Sequence, residues 1–489
     1  MKSVKINSIL NVFRMGLTVI VPLITFPYTS RIFLADGTGK LDFCNSYTGV
    51  LALIASLGIY TYGIREGTLV RKSRDKLSKL SRELFIVNIF STILAYIIFI
   101  ISLMTISSIS KYSSLMLIYS VNIIFTGIGI DWIYGVEEDY MYITIRQIIM
   151  QIFQIVSLFI FVHSASDIYS WALISVLCSS MCNFANIIHS KKYIDLFPIN
   201  ILSNIHGVKR HIKPVIILFA TQLASKAYTY IDSIALGFLS TDYAVGIYSA
   251  AIKINSILIT CILAMYPVFL PRIISFLEMD YNKYRDYTQS VFRLLWALII
   301  PAVTGLIMVS NSVIPIVAGN SFNGAIITMR ILAPIILLTS ISNGIYSLYF
   351  IPQRREKYVL FCTLTAAAIN VIATLALVPF YDENGAAIGS LTAEFGSLCL
   401  AVYLLGKSND IKKCILPNIV NYIFGSVLIL CWCFIVKFFI INIYFQVIIS
   451  TIGGILVYFL LLKARKDQIY LELSELINRT IHKIGGICK

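Results

Sequence analysis

Residues Ile9–Arg31 read ILNVFRMGLTVIVPLITFPYTSR, an apolar run interrupted by Arg14, Pro22 and Pro27 and closed by Arg31. Wound as a helix at about 1.5 Å per residue it is long enough to cross a bilayer, yet a plain anchor needs neither the arginine nor the prolines. At about 100° per residue Asn7, Arg14, Thr18, Thr25 and Tyr28 fall on one side, and Leu17, Ile20 and Ile24 lie elsewhere. An arginine facing lipid is costly, so this polar side is expected to face protein or a water-filled path. Pro22 and Pro27 remove helical hydrogen bonds and are candidate gating or hinge positions.

The rest of the chain repeats that pattern of long apolar runs. Of its 489 residues, 58% are hydrophobic and 13% charged, and the mean hydropathy is +0.84. These values describe a polytopic, all-α integral membrane protein. Fourteen runs have the length of a transmembrane helix: 9–30, 43–63, 84–104, 112–134, 143–163, 168–189, 213–237, 245–270, 291–310, 326–350, 358–378, 386–406, 416–436 and 440–462. The first carries Arg14 and no small-x-small cleavage site, so it is expected to stay as a helix rather than be removed as a signal peptide.

The formal net charge of +15 lies in the connections. With the N-terminus cytoplasmic, the inner segments hold 29 lysines and arginines, seven of them between Arg65 and Arg82. The outer loops hold four: Arg31, Lys40, Lys111 and Lys437. This split places both termini inside, and the basic excess is a topology signal rather than a nucleic-acid surface. The expected layout is an N-terminal lobe at 1–190, a cytoplasmic linker at 191–212, a C-terminal lobe at 213–406, two further helices within 416–462 and a cytoplasmic amphipathic tail at 463–489. Each lobe would hold six helices. Ile32–Leu57 and Ala235–Leu263 resemble each other weakly, with Gly39 and Gly246 at equivalent places, as parallel repeats of a transporter would. The tail Asp467–Ile484 has the spacing of an interfacial helix.

Charges inside the apolar runs carry most of the functional information. Besides Arg14 they are Asp131, Lys226, Asp232, Lys253, Arg330 and Glu394. Each costs at least about 2.5 kcal/mol at mid-membrane unless paired or hydrated. Lys226 shares a helix face with Gln222, Thr229 and Ser233, and Lys253 shares one with Ser249, Ser256 and Thr260. Arg14, Arg31, Lys226, Lys253 and Arg330 are therefore candidate cavity cations for an anionic substrate such as a diphosphate. Asp131, Asp232 and Glu394 are candidates for binding a coupling ion or for pairing with those cations. The plainer alternative for any one of them is a salt bridge between helices.

No catalytic constellation and no cofactor or metal motif is present. There is no GxxxxGK[ST] loop, and Cys178, Cys182, Cys261, Cys362, Cys399, Cys431 and Cys433 sit in apolar runs without zinc spacing. His163, His189, His206, His211 and His482 lie near the expected membrane surfaces and read as solvated interfacial histidines.

Three stretches give the chain a family likeness. They are LITFPYTSRIF (Leu23–Phe33) followed by LGIYTYGIRE (Leu57–Glu66), then DWIYGVEEDYMYITIRQIIMQI (Asp131–Ile152), then AYTYIDSIALGFLSTDYAVGIYSAAIKIN (Ala227–Asn255) ending in FLPRI (Phe269–Ile273). In order and spacing they resemble the bacterial polysaccharide-repeat flippases of the O-antigen type, from the polysaccharide transporter family of the superfamily that also holds multidrug exporters and lipid II flippases. Family members usually carry Leu-Gly after the arginine-containing turn, where this chain has Phe33, Leu34 and Ala35. The resemblance implies translocation of undecaprenyl-diphosphate-linked oligosaccharide from the inner to the outer leaflet of the bacterial cytoplasmic (inner) membrane. Two lobes would rock about a central cationic cavity, and the last two helices would offer a groove for the polyprenyl tail. It also implies membrane lipids as partners and, in the same pathway, a polysaccharide polymerase and a chain-length regulator. The alternatives are a cation-coupled drug or lipid exporter of the superfamily and a membrane polymerase of the pathway.

Overall fold

The protein is an all-α membrane protein in a computed structural model that describes residues 4–198, 201–406, 414–416, 419–472 and 474, without the side chains of 4–15, 17–19, 201–206, 221, 224–225 and 227–229. The described elements are helical throughout, with no strand among the described residues. Ten spans are long and apolar enough to cross a membrane, and two shorter apolar helices, Ser113–Gly127 and Tyr230–Leu239, accompany them. Two of the ten contain helices run together across a sharp bend: Val4–Ser56 (α1), which supplies most of the span Ile20–Val70, turns at Leu34, and Glu356–Leu404 turns at Asp382. Counted across those bends, the described residues supply the fourteen segments expected from apolar length.

Leu34 has φ 56° and ψ −170°, a conformation that suits glycine and costs a side-chain-bearing residue about 1–3 kcal/mol. It occupies the turn where family members usually place Leu-Gly. The break in α1 is at this turn. Pro22 and Pro27 both lie within continuous helix.

By its internal contacts the chain forms two compact units. Unit 1 comprises Met1–Ser249 and Val378–Glu383. It is built on α1, which packs against Arg74–Thr105 (α3), Ser113–Gly127 (α5), Tyr140–Phe161 (α7) and Ile201–Leu239 (α9). Short helices Ile59–Val70 (α2), Ser107–Ser110 (α4) and Asp131–Val136 (α6) and the long Ile168–Ser190 (α8) complete it, and Asp242–Leu263 (α10) begins in it.

The side chains of unit 1 are distributed as a bilayer requires rather than as water requires. On α3, Ser78, Ser81, Glu83, Asn88 and Ser91 are buried, while Ile97, Ile100, Ile101 and Met104 are exposed. Small polar residues let helices approach closely and bond across the contact: the Ser91 hydroxyl donates to the Ala55 carbonyl at 2.6 Å. After α8 the chain is irregular as far as Pro198, and α9 begins at Ile201. In that connection Arg74 pairs with Asp195 at 2.8 Å and holds its carboxyl below the usual carboxylate range.

Unit 2 comprises Ala250–Leu377 and Asn384–Lys489. Tyr266–Met279 (α11) leads into Tyr281–Val317 (α12), whose N-terminus is capped by Asp280 accepting from the amides of Asn282 and Lys283. Ala325–Ile345 (α13), Val420–Phe439 (α15) and Ile443–Ala464 (α16) pack on α12, with Glu356–Leu404 as α14. The start of the tail is held on α15 through Asp467, which accepts from Asn421 at 2.9 Å. The remainder of the expected interfacial helix, beyond Ser474, lies outside the described residues.

Candidate functional site

The polar side of α1 that is described, from Thr25 to Thr29, consists of satisfied hydroxyls. Thr25 and Thr29 are buried and donate to the carbonyls of Val21 and Thr25, one turn back on the same helix. Tyr28 donates to the Val162 carbonyl at the end of α7, at 2.7 Å. Ile20, Leu23 and Ile24 on the other side are exposed. Arg31 is exposed and donates to the Pro27 carbonyl at 2.5 Å. The side chain of Arg14 lies outside the described residues.

Beyond Leu34, α1 crosses the first turns of α10 at backbone contact. A Cβ on Gly39 would run into the Asp242 carbonyl, and a Cβ on Gly246 would run into the Ala35 carbonyl. Each glycine thus meets the residue four positions before the other, the reciprocal pattern of an interface about a two-fold axis. Asp42 and Ser249, each three residues after its glycine, bond to one another, the serine donating. The crossing is buttressed by Asp242, whose carboxylate accepts from the Tyr112 hydroxyl at 2.6 Å and faces the Lys111 ammonium at 3.5 Å. One turn further in, Tyr248 donates to Asp232 at 2.5 Å. Asp42 and Asp232 therefore set two carboxylates inside unit 1, among Tyr248, Ser249 and the fully buried Phe43.

The other predicted charges fall in separate places. Asp131 opens α6 and faces the Arg146 guanidinium of α7 at 3.2 Å. Asn186 of α8 bonds to both, so the three residues tie α6, α7 and α8 together. Lys226 is exposed on α9. Lys253, Arg330 and Glu394 belong to unit 2, where Arg330 donates to Ser310 at 2.8 Å and to Asn311 at 3.0 Å. The predicted set is thus divided between the units, with Lys226, Asp131 and Asp232 in unit 1.

Unit 2 also holds an apolar groove of about 590 Å³ between α12 and the α15–α16 pair. Gly305, Leu306 and Val309 form one wall, and Gly454, Ile455 and Tyr458 another. Tyr458 donates its hydroxyl to the carbonyl of Ala297, another lining residue, at 2.8 Å, so this polar group of the groove is satisfied within the protein.

Residues 4–277 match the family model described as polysaccharide biosynthesis protein. The chain belongs to that family. In this member of it, the matched region takes in all of α1 to α10, and hence the glycine crossing and its carboxylates. The "Putative O-antigen transporter" of Escherichia coli (strain K12) is 24% identical to it over 396 residues, 80% of this chain and 92% of the relative. Among solved structures, the fold resembles the lipid II flippase MurJ in an inward closed conformation, with a TM-score of 0.72 at 16% identity, covering 95% of this chain and 99% of that one. It also resembles an inward-facing multidrug resistance MATE family transporter, with a TM-score of 0.58 at 15% identity over 81% of this chain and 98% of that one.

Two groups in this family member went unrecognised in the sequence. Asp42 stands one residue before the apolar run 43–63 and reads as a loop residue. Glu83 and His211 are the other case. His211 is 2% exposed and Glu83 has no exposed surface, so the expectation of a solvated interfacial histidine is wrong at this position. His163 is exposed as expected. On α9, Val208, His211 and Val215 share one buried face, so the imidazole occupies a place in an apolar stripe. That spacing is the signal by which the sequence could have revealed it.

Proposed function

We propose that the protein is a transporter rather than an enzyme, and that it moves an undecaprenyl-diphosphate-linked oligosaccharide repeat across the bacterial cytoplasmic membrane. Such a substrate joins an anionic, sugar-bearing head to a long hydrocarbon tail, and a carrier must serve both without drawing the head through lipid. The observation that carries the proposal is the apolar groove between α12 and α15–α16, in a chain whose membrane spans also hold charged residues. The groove suits the tail, while Arg14, Arg31, Lys226, Lys253 and Arg330 suit the diphosphate. Family membership and the name of the Escherichia coli relative support the same reading. Both termini would be cytoplasmic, and two six-helix lobes, 1–190 and 213–406, would alternate in access with Pro22 and Pro27 as bends. A polymerase and a chain-length regulator would act on the delivered repeats. Asp42 and Asp232 favour, as a second reading, a cation-coupled exporter of the same superfamily.

The head-group contacts are tested by Arg14→Ala and Lys253→Ala in a deletion strain. A charged hydrogen bond contributes about 1.5–3 kcal/mol, so either variant should lower surface polysaccharide at least about tenfold at unchanged membrane abundance. Wild-type export from both would refute the cationic path. The groove is tested separately by Gly305→Phe, since a Cβ at Gly305 meets nothing within 4 Å and the ring would occupy the tail's space. Export should fall while the folded protein persists in the membrane; an unaltered polysaccharide level would remove the groove from the mechanism.

A further inference from the structure

Tyr62 of α2, Glu83 of α3 and Arg210 and His211 of α9 meet at the end of unit 1 that carries the basic connections. Arg210 Nη2 donates to Glu83 Oε2 at 2.7 Å, and His211 Nε2 lies 2.8 Å from the same oxygen. The Tyr62 hydroxyl lies 2.7 Å from His211 Nδ1. Leu80, Leu84, Val208 and Val215 belong to the apolar cluster shared by these helices. Glu83 Oε1 has no hydrogen-bond partner, and any side chain at Gly207 would collide with it. The acid is therefore held by one oxygen in a space that only glycine leaves open.

An ionised Glu83 only accepts, so the proton between it and His211 is carried by Nε2; the Arg210 Nε–H, which points at that nitrogen from 3.2 Å, then has water to donate to, its side chain being largely exposed. Nδ1 then has two satisfied states. Without a proton it accepts from the Tyr62 O–H; with one, it donates to the Tyr62 oxygen, whose own hydrogen turns away. A phenol hydroxyl serves both, so the buried imidazole can gain or lose a proton without orphaning a polar atom. Charges of both signs surround the ring. Glu83 from α3 favours the imidazolium, and Arg210 from α9, with Nε 3.2 Å from His211 Nε2, opposes it. From α2 come Arg65, 5.2 Å from the centre of the Tyr62 ring, and Glu66, paired with Arg65 at 3.0 Å. Arg210 in the same contact leaves no place for a metal ion.

We propose that His211 is a proton-binding site of the transport cycle, taking a proton from water onto Nδ1 and returning it to water, and that its charge state sets how α9 is held to α2 and α3. The role in transport rests on the function proposed above; the binding of the proton does not. α9 also carries Asp232, about six turns further on, so a change of charge at its foot acts on the helix that bears the buried carboxylate.

The test uses the full chain in lipid nanodiscs, labelled with ¹³C at histidine Cε1 and followed by NMR between about pH 5 and 8, the range in which an imidazole ordinarily titrates. The His211 signal, assigned by its absence from His211→Gln, should titrate in the wild type. Its midpoint should fall by about one pH unit in Glu83→Gln, which removes the anion that favours the cation, and should also fall in Tyr62→Phe, which removes the acceptor for the Nδ1 proton. A signal that stays flat across the range overturns the site. In a complemented deletion strain, collapsing the pH gradient with nigericin should lower wild-type surface polysaccharide about threefold, with export through His211→Gln already reduced and no longer responsive. If that variant keeps wild-type export and wild-type sensitivity to nigericin, the coupling role is wrong. If the wild-type gene itself fails to restore polysaccharide, the transport reading fails while the titration still decides the site.

Discussion

Gly39→Leu and Gly246→Leu are each expected to abolish polysaccharide export, by at least about tenfold, while leaving the protein in the membrane. At both positions a Cβ alone would overlap a carbonyl of the facing helix, so a branched side chain forces the backbones of α1 and α10 apart. Overpacking of this kind costs about 1–3 kcal/mol, enough to shift an equilibrium between apposed and separated helices by about five- to 150-fold. Most of α1 and α10 would be untouched, so folding should survive where the conformational balance does not. The two substitutions should also resemble each other in effect, because each glycine stands in the other's reciprocal contact. Membrane abundance on immunoblots separates the outcomes: loss of both export and protein would mark a folding defect, and normal export would mean that the crossing is not used.

The crossing shows how far apolar length and loop charge lead and where they stop. Fourteen bilayer-length runs were legible, because the cost of leaving backbone groups unpaired in hydrocarbon forces each run into a helix regardless of its detailed sequence. The weak likeness of Ile32–Leu57 to Ala235–Leu263 was also legible, and the two glycines it paired are in contact. A polar stripe, by contrast, left protein and a water-filled path as alternatives. Thr25 and Thr29 satisfy their hydroxyls on their own helix, so a stripe of such residues can lie against protein without water. Periodicity cannot separate these cases, since it gives the direction of a side chain and not its partner.

The same limit explains the misplaced charges. Arg146 lies just past an acidic loop in sequence, and only the packing of α6, α7 and α8 turns it to Asp131 and Asn186. Glu83 follows the basic run Arg65–Arg82 and so reads as part of a solvated connection. Its burial is tolerated because Arg210 and His211 reach it from 127 and 128 residues away, contacts that no local pattern records. Asp42 was hidden because its helix begins just after Leu34, about eight residues before the apolar run at 43–63.

Asp232→Asn should lower export at least about tenfold at unchanged abundance, a result that separates a working charge from a structural hydrogen bond. Asp232 is 1% exposed and accepts from the Tyr248 hydroxyl at 2.5 Å. Asparagine keeps the shape and offers its amide oxygen to the same hydroxyl, so the substitution deletes the negative charge while retaining an acceptor. If the residue only joined α9 to α10, the variant would fold and transport normally. An ionised carboxylate in a membrane span is costly to maintain unless it is paired or hydrated. A charge that binds a coupling cation, or balances a substrate cation during the cycle, cannot be replaced by an amide. Tyr248→Phe supplies the opposite control: it keeps the charge, removes the donor, and should reduce stability by about 1 kcal/mol with export largely intact. Equal export from Asp232→Asn and wild type, measured as surface polysaccharide per unit of membrane protein, would return Asp232 to a purely structural role.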